Sequence, residues 1–427
     1  LFKKINTPIM TEVSYSNVND NTPVLVGCAQ HLDKNGVDGL NFLEILEVVG
    51  KKAVADCEAE KSLAEELDNV TVIRFVADTP NRDSATTSMW GYPNMPKSLA
   101  NSLGSKASSL IYTTTGGNSP QLAVNEVAKR IQSGDIDCSL IAGGEALDTF
   151  VKRIKSGIDT DWSDNPGGEP EIIGSAQDGA NNHEKLYGLF NPSSVYPLFA
   201  NALRAKDGTS PAKHMLEVGE LFSEFSKVAS ENEHAWFPIH RTAEEISEVK
   251  PENRIIGFPY TKYMNSIMRV NQSSALVMVS AKKAREMGIP ESKWVFMHAG
   301  ACLNEIFHMS DRVDYHSSPA IKSCTDAVFN LSNTTQEEMD FLDIYSCFPS
   351  AVQIAINELG IKPNDSRGLT LTGGLPYFGG PGNAYVLNSM ASMVKKLREN
   401  PGKFALVTSN GWYLTKHGAG IFSTKPF

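Results

Sequence analysis

Apolar residues along this chain follow two alternating periods, short β-branched or aromatic runs and longer stretches in which every third or fourth residue is apolar. The clearest pair is SSLIYTTTGGNSPQLAVNEVAKRI, ending at Ile131. Its first eight residues read as a buried strand. Val124, Val127, Ala128 and Ile131 then repeat at i, i+3, i+4 and i+7, which predicts an amphipathic helix. Ser119 suits the N-cap and Pro120 the first helical position. After Gly134, CSLIAGGEA predicts the next strand. Gly116 and Gly117 stand at the corner, where the N–H groups of a helix start can face an anion or a developing oxyanion.

The same alternation predicts a strand from Val24, a helix around Asn41 to Cys57 and a strand at Val70 to Val76. A polar passage through Pro93 and Pro96 and a short helix ending at Gly104 come next. From Phe150 to Arg269 the pattern breaks into Pro, Gly, Asn and aromatics with one amphipathic stretch, Met215 to Ala229, and reads as an excursion over the sheet edge. SSALVMVS (Ser273 to Ser280), WVFMHAGACL, FLDIYSCF and FALVTSNG read as strands. Helices are expected after Ser280, over Ala320 to Leu331, up to Gly360 and along Val386 to Leu397. On a continuous strand Tyr345 and Cys347 would share one face. The glycine turn, helix and strand of the last third repeat the arrangement of the first third. That predicts an internal duplication in an α/β fold: one half over residues 20–150 and 255–290, a loop subdomain over 151–254, and a second half over 291–427.

Composition narrows the function. The 427 residues carry a net charge of −10, which disfavours nucleic acid as a partner. No apolar run reaches the length of a membrane span and LFKKINTPIM lacks a signal-peptide core, so a cytoplasmic protein starting at Met10 or further upstream is expected. The six cysteines form no CxxC, so neither a metal site nor a disulfide framework is expected.

Several of these segments together resemble the thiolase superfamily, nearest the sterol-carrier-protein-type thiolases and thiolase-like proteins. GDIDCSLIAGGEAL is similar to the strand after the thiolase nucleophile helix, and RVNQSSALVMVSAKKAREMGI to the segment that re-enters the first half. DIYSCFPSAVQIAINELGI stands in place of Asn-Glu-Ala-Phe or His-Asp-Cys-Phe, GGPGNAYVLNSMA in place of Gly-His-Pro, and TSNGWYLTKHGAGIFST in place of Cys-x-Gly. The resemblance implies two βαβαβαββ halves in five αβαβα layers, a loop domain and a homodimer. It also implies an acyl-CoA substrate, with coenzyme A entering only as part of that substrate and no separate cofactor.

The match departs from thiolases at the chemistry. Gly117 stands where the acyl-accepting cysteine belongs, Gly380 replaces the Gly-His-Pro histidine, Ser409 the Cys-x-Gly cysteine and Tyr345 the His-Asp-Cys-Phe histidine; Cys347 survives. An acyl-cysteine needs that first thiolate. Cys347 then reads either as an acid/base at the substrate α-carbon or as a core thiol. Tyr345 reads as a proton donor and acceptor, as in the steroid side-chain aldolases of this superfamily, or as a packed ring. His417 either enters the pocket from a glycine-containing turn or lies on a surface loop. Asn118 and Asn410 could orient a thioester oxygen or satisfy turn backbone, while Gly116, Gly117, Gly379 and Gly380 admit close approach of main-chain N–H donors. The resemblance thus leaves three readings: an acyltransferase or carbon–carbon bond enzyme on CoA thioesters, a retro-aldol lyase on β-hydroxyacyl-CoA that works through Tyr345 with a small zinc-ribbon and OB-fold partner, and a non-catalytic thioester-binding subunit.

Overall fold

The structure is a computed structural model that describes residues 15, 17–78 and 91–427. Its strands are β1 (Pro23–Leu32), β2 (Asn69–Val72), β3 (Ser109–Thr113), β4 (Cys138–Ala146), β5 (Glu171–Ile173), β6 (Ile255–Gly257), β7 (Tyr260–Thr261), β8 (Asn271–Ser280), β9 (Val295–Asn304), β10 (Phe341–Asp343), β11 (Phe404–Gly411) and β12 (Lys416–Ser423). The helices of the first part are α1 (Phe42–Asp56), α2 (Met95–Ser102), α3 (Ser119–Ser133) and α4 (Leu147–Lys155). The middle holds α5 (Asn182–Leu186), α6 (Pro192–Lys206), α7 (Pro211–Ser230) and α8 (Ala243–Ser247). The last part holds α9 (Ala281–Glu286), α10 (Pro319–Ser332), α11 (Pro349–Leu359) and α12 (Tyr385–Glu399).

Local chemistry explains where these helices start and stop. The Asn41 side chain accepts from the Leu43 and Glu44 N–H groups while Glu44 accepts from the Asn41 N–H, so α1 opens on a capping box. α3 and α11 end on left-handed glycines, Gly134 at φ 81° and Gly360 at φ 68°.

Among the described residues, ten strands form one sheet in the order β10-β11-β12-β9-β1-β8-β4-β2-β3-β5. Counted outward from the β9–β1 junction, β1, β8, β4 and β2 match β9, β12, β11 and β10 in order and in direction. The β4–β8 and β11–β12 pairs are antiparallel, as are β8–β1 and β12–β9, whereas β2–β4 and β10–β11 are parallel. This is the internal duplication expected from the sequence. α3 and α12 each pack on strands of both halves, whereas α1 packs on strands of the first half and α10 on strands of the second, which gives helix, sheet, helix, sheet, helix. α12 is buried on nearly every face, as a central layer requires.

Several local expectations are corrected. Asn118, not Ser119, flanks α3, and the Ser119 hydroxyl donates back to the Thr114 carbonyl at 2.7 Å. β2 stops at Val72 rather than Val76. β10 stops at Asp343, because the next two amides bond outside the ladder, Ile344 to the Leu369 carbonyl and Tyr345 to Thr408 Oγ1, so Tyr345 and Cys347 lie past the strand end. The excursion holds four helices, and α6 was missed because Pro197 interrupts its pattern. His417 lies on the buried strand β12 instead of in a turn. Most of the polar passage expected before α2, and the LFKKINTPIM segment, lie outside the described residues.

Candidate functional site

The two glycine-bearing corners of the duplicated fold meet. β3 delivers the chain into the turn before α3, and β11 ends at Gly411 opposite Lys416 of β12. A Cβ placed on Gly411 would lie 3.1 Å from the Gly116 Cα and 3.2 Å from the Gly117 nitrogen, so the corners are in backbone contact and Gly411 has no room for a side chain. Gly116, at φ 151°, donates its N–H to Asn383 Oδ1 at 3.0 Å, and Asn383 Nδ2 donates to the Arg74 carbonyl at 2.7 Å. Asn383, in the turn into α12, therefore ties the second half to two turns of the first.

Tyr345 fills the place that Gly117 leaves open. A Cβ on Gly117 would collide with the Tyr345 hydroxyl and the Asn410 carbonyl and sit 2.9 Å from Tyr345 Cζ. Gly117 is not in the left-handed region, so the constraint is space alone. The Tyr345 ring meets Tyr385 edge-on, centroids 5.7 Å apart at 84°. Burial, with Cys347 and Tyr385 beside it, holds the phenol well above its ordinary pKa.

Cys347 keeps some accessible surface, yet burial pushes its thiol up to about 12, so it is protonated at neutral pH. Asn410 Nδ2 donates to the Tyr196 hydroxyl at 2.8 Å and lies 3.8 Å from Cys347 Sγ; Tyr196 in turn donates to the Trp412 carbonyl at 2.8 Å. Tyr345, Cys347 and Asn410 are thus brought together, with Tyr196 of α6 as an unforeseen fourth member. All are neutral, and none is a thiolate.

A cavity of about 20 Å³ adjoins this cluster, lined by Tyr345, Ser409, Asn410 and His417 among apolar side chains. That is room for one water and not for a thioester. The His417 Nε2 lies 3.0 Å from the Leu414 carbonyl and 3.3 Å from Ser318 Oγ. A carbonyl only accepts, so Nε2 carries the ring proton. Burial lowers the His417 pKa to about 4, which keeps the ring neutral.

Gly379 and Gly380 lie on a neighbouring turn. The Gly380 N–H donates to the Ile267 carbonyl at 2.8 Å, a Cβ there would collide with Ser266 Oγ, and one on Gly379 would collide with Gln272 Oε1. The Ser266 N–H donates to the Cys347 carbonyl at 3.2 Å, which places this turn behind Cys347. The Gly116 and Gly380 amides both donate to protein acceptors, so neither N–H is spare for an oxyanion. Asn118 sits between Gly116 and Gly411 and also lines a cleft on the far side of the corner. Sequence reasoning missed Tyr196, Asn383 and Lys416; the signal for the last two was a polar residue inside an otherwise apolar or glycine-rich run, PGNAYV and LTKHGAG.

The comparisons with known proteins agree with this architecture. No protein-family model matches the chain, and no curated protein does. Among solved structures, the monomeric SCP2-thiolase-like protein type 1 from Mycobacterium smegmatis is 32% identical, with 96% of this chain and 79% of that chain covered at a TM-score of 0.81. The Ltp2-ChsH2(DUF35) aldolase, 15% identical, superposes over 95% of this chain and 98% of that one at a TM-score of 0.67. The acetyl-CoA acetyltransferase from Syntrophomonas wolfei, also 15% identical, does so over 95% and 100% at 0.66. These last two show the fold alone. The paired glycine corners, the matched half-sheets and the 32% identity over nearly the whole length lead to one conclusion: the chain belongs to the SCP2-thiolase-like proteins of the thiolase superfamily.

Proposed function

We propose that this protein handles a CoA thioester without forming an acyl-cysteine, and that it makes or breaks a carbon–carbon bond beside the thioester by proton transfer through Tyr345. The carrying observation is the Tyr345 hydroxyl lodged where a side chain on Gly117 would stand, which offers a proton donor at the position a nucleophile would need. With its pKa raised, Tyr345 is the protonated partner. In aldol formation the phenol gives its proton to the developing alkoxide and is left a phenolate. In retro-aldol cleavage that phenolate takes the β-hydroxyl proton as the carbon–carbon bond breaks, and the enolate left on the thioester takes its proton from the Cys347 thiol, which solvent reprotonates, so cleavage should speed up as pH rises. A β-hydroxyacyl-CoA incubated with the protein should release an aldehyde or ketone, and Tyr345→Phe should abolish that release. Unchanged cleavage by the variant, or a stable acetyl adduct after incubation with acetyl-CoA, refutes the reading.

A second reading, thioester binding without turnover, is favoured by the tight cavity beside Tyr345. Measurable CoA binding with no release from any β-hydroxyacyl-CoA would select it. One neighbour is named for the pair Ltp2-ChsH2(DUF35), and a small zinc-ribbon and OB-fold partner is the matching proposal here; cleavage assays belong both with and without such a partner.

For the oligomer the homodimer expected from the resemblance stays the proposal; the similar Mycobacterium smegmatis protein is named as monomeric, and a single chain mass in light scattering would overturn the homodimer here.

A further inference from the structure

Tyr196 is 1% exposed and carries its hydroxyl from α6, outside both halves of the sheet, to the place where Cys347 and Asn410 meet. The O–H donates to the Trp412 carbonyl at 2.8 Å, while the oxygen accepts from Asn410 Nδ2 at 2.8 Å and from the Leu414 N–H at 3.4 Å. A phenol has one proton to give, and here it is committed to a carbonyl.

Those bonds fix the direction of an amide. A carbonyl only accepts, so the Tyr196 proton points at Trp412 and the Tyr196 oxygen has to face a donor. Asn410 therefore presents its nitrogen, and the same nitrogen lies 3.8 Å from Cys347 Sγ. Asn410 Oδ1 has no hydrogen-bond partner, so no bond at that end holds the amide in this orientation. The turn that offers the Trp412 carbonyl is itself strained. Trp412 at φ 56° and Leu414 at φ 52° are left-handed, a conformation that bulky residues keep only where their surroundings impose it. Tyr196 bonds to both of them.

We propose that Tyr196 is a positioning residue: by bonding the strained Trp412–Leu414 turn it holds the Asn410 amide with an N–H toward Cys347, so that the sulfur meets a donor, and not a carbonyl oxygen, when the thiol gives up its proton. This role rests on Cys347 being the acid of the cleavage reaction, as proposed above. In that step the S–H bond breaks, the proton goes to the α-carbon of the enolate, and the electron pair stays on a sulfur that faces the Asn410 N–H. Solvent then returns the proton to sulfur.

Alkylation of Cys347 by iodoacetamide at about pH 9, read by peptide mass spectrometry, reports the thiolate population of the full chain without any substrate. Tyr196→Phe keeps the ring, which stacks on Phe348 with centroids 4.3 Å apart at 10°, and removes only the hydroxyl. Alkylation should slow about tenfold, the lower end for a hydrogen bond to a charged group, because the 3.8 Å contact is long. Asn410→Ala should slow it equally, and Tyr196→Phe should add nothing in that background, since both changes act through one N–H. A role in packing alone would alter access to the thiol in either background. Asn410→Ser, which also lacks the N–H, takes the place of Asn410→Ala in the cycle should the alanine variant not fold. Unchanged or faster alkylation in Tyr196→Phe, or further slowing in the double variant, overturns the role. The readout needs no turnover, so failure of this cycle and failure of aldehyde release are separate results.

Discussion

Gly117→Ala tests the arrangement at the glycine corner without any substrate. The added methyl carbon meets the Tyr345 hydroxyl and the Asn410 carbonyl at distances that real Cβ atoms do not adopt, and Tyr345 Cζ at 2.9 Å. Overpacking of this kind costs about 1–3 kcal/mol. Loss of glycine freedom in the unfolded chain offsets about 0.4–1 kcal/mol, leaving a net destabilisation of about 1–2 kcal/mol. Tyr345→Phe removes one of the two colliding oxygens, so the alanine should be less costly in that background, with a coupling of about 1 kcal/mol. Urea denaturation of the parent, both single variants and the double variant measures that cycle. Additivity within about 0.5 kcal/mol would show that the tyrosine hydroxyl does not fill the space over Gly117. The same geometry predicts that Gly117→Cys alone restores no acyl-enzyme, since the thiol arrives in occupied space.

Other consequences can be measured in the same protein. His417 drops from 6.5 to about 4 on folding, so as pH falls through that window the unfolded chain takes up the proton first. The folded state should lose about 3 kcal/mol between pH 6.5 and 4, keep the full benefit above 6.5, and lose most of this dependence in His417→Asn. Cys347, at about 12, should react with iodoacetamide at pH 7.5 roughly a thousandfold more slowly than in the unfolded chain; fast labelling read by peptide mass spectrometry would contradict its protonated state. Asn383→Ala strands the Gly116 N–H and the Arg74 carbonyl and should cost about 2–4 kcal/mol, whereas Asn383→Asp keeps the acceptor for Gly116 and should cost less.

The parts of this fold that could be read from sequence are those whose signal is local. β4 and β11 run from charged or polar breaks into small residues, and both came out at their observed bounds. α3 and α12 carry an apolar period long enough to fix helix and face together. α6 escaped because Pro197 and Asn201 dilute its period, although Val195, Tyr196, Phe199, Ala200 and Leu203 are all buried. At the site, the loss of the thiolase side chains was legible as a list of replacements. Their compensation was not, because it depends on Tyr345 of one half reaching Gly117 of the other, a contact that no periodicity encodes. Lys416, beside His417, carried no periodicity signal of its own and is buried in β12, where burial lowers its pKa to about 8.

The short ribbon at the sheet margin has a practical consequence. Residues 171–173 are joined to β3 through the Ile111, Tyr112 and Thr113 register, with the Thr114 amide donating to the Ile173 carbonyl at 2.8 Å and Arg130 clasping Glu171 at 2.6 Å. A proline at Ile172, or proteolytic nicking just upstream, would peel that ribbon away and bare the backbone of the longer strand β3. Preparations nicked there should precipitate while the rest of the molecule is still folded, which makes this tripeptide a guard of colloidal behaviour rather than of the interior.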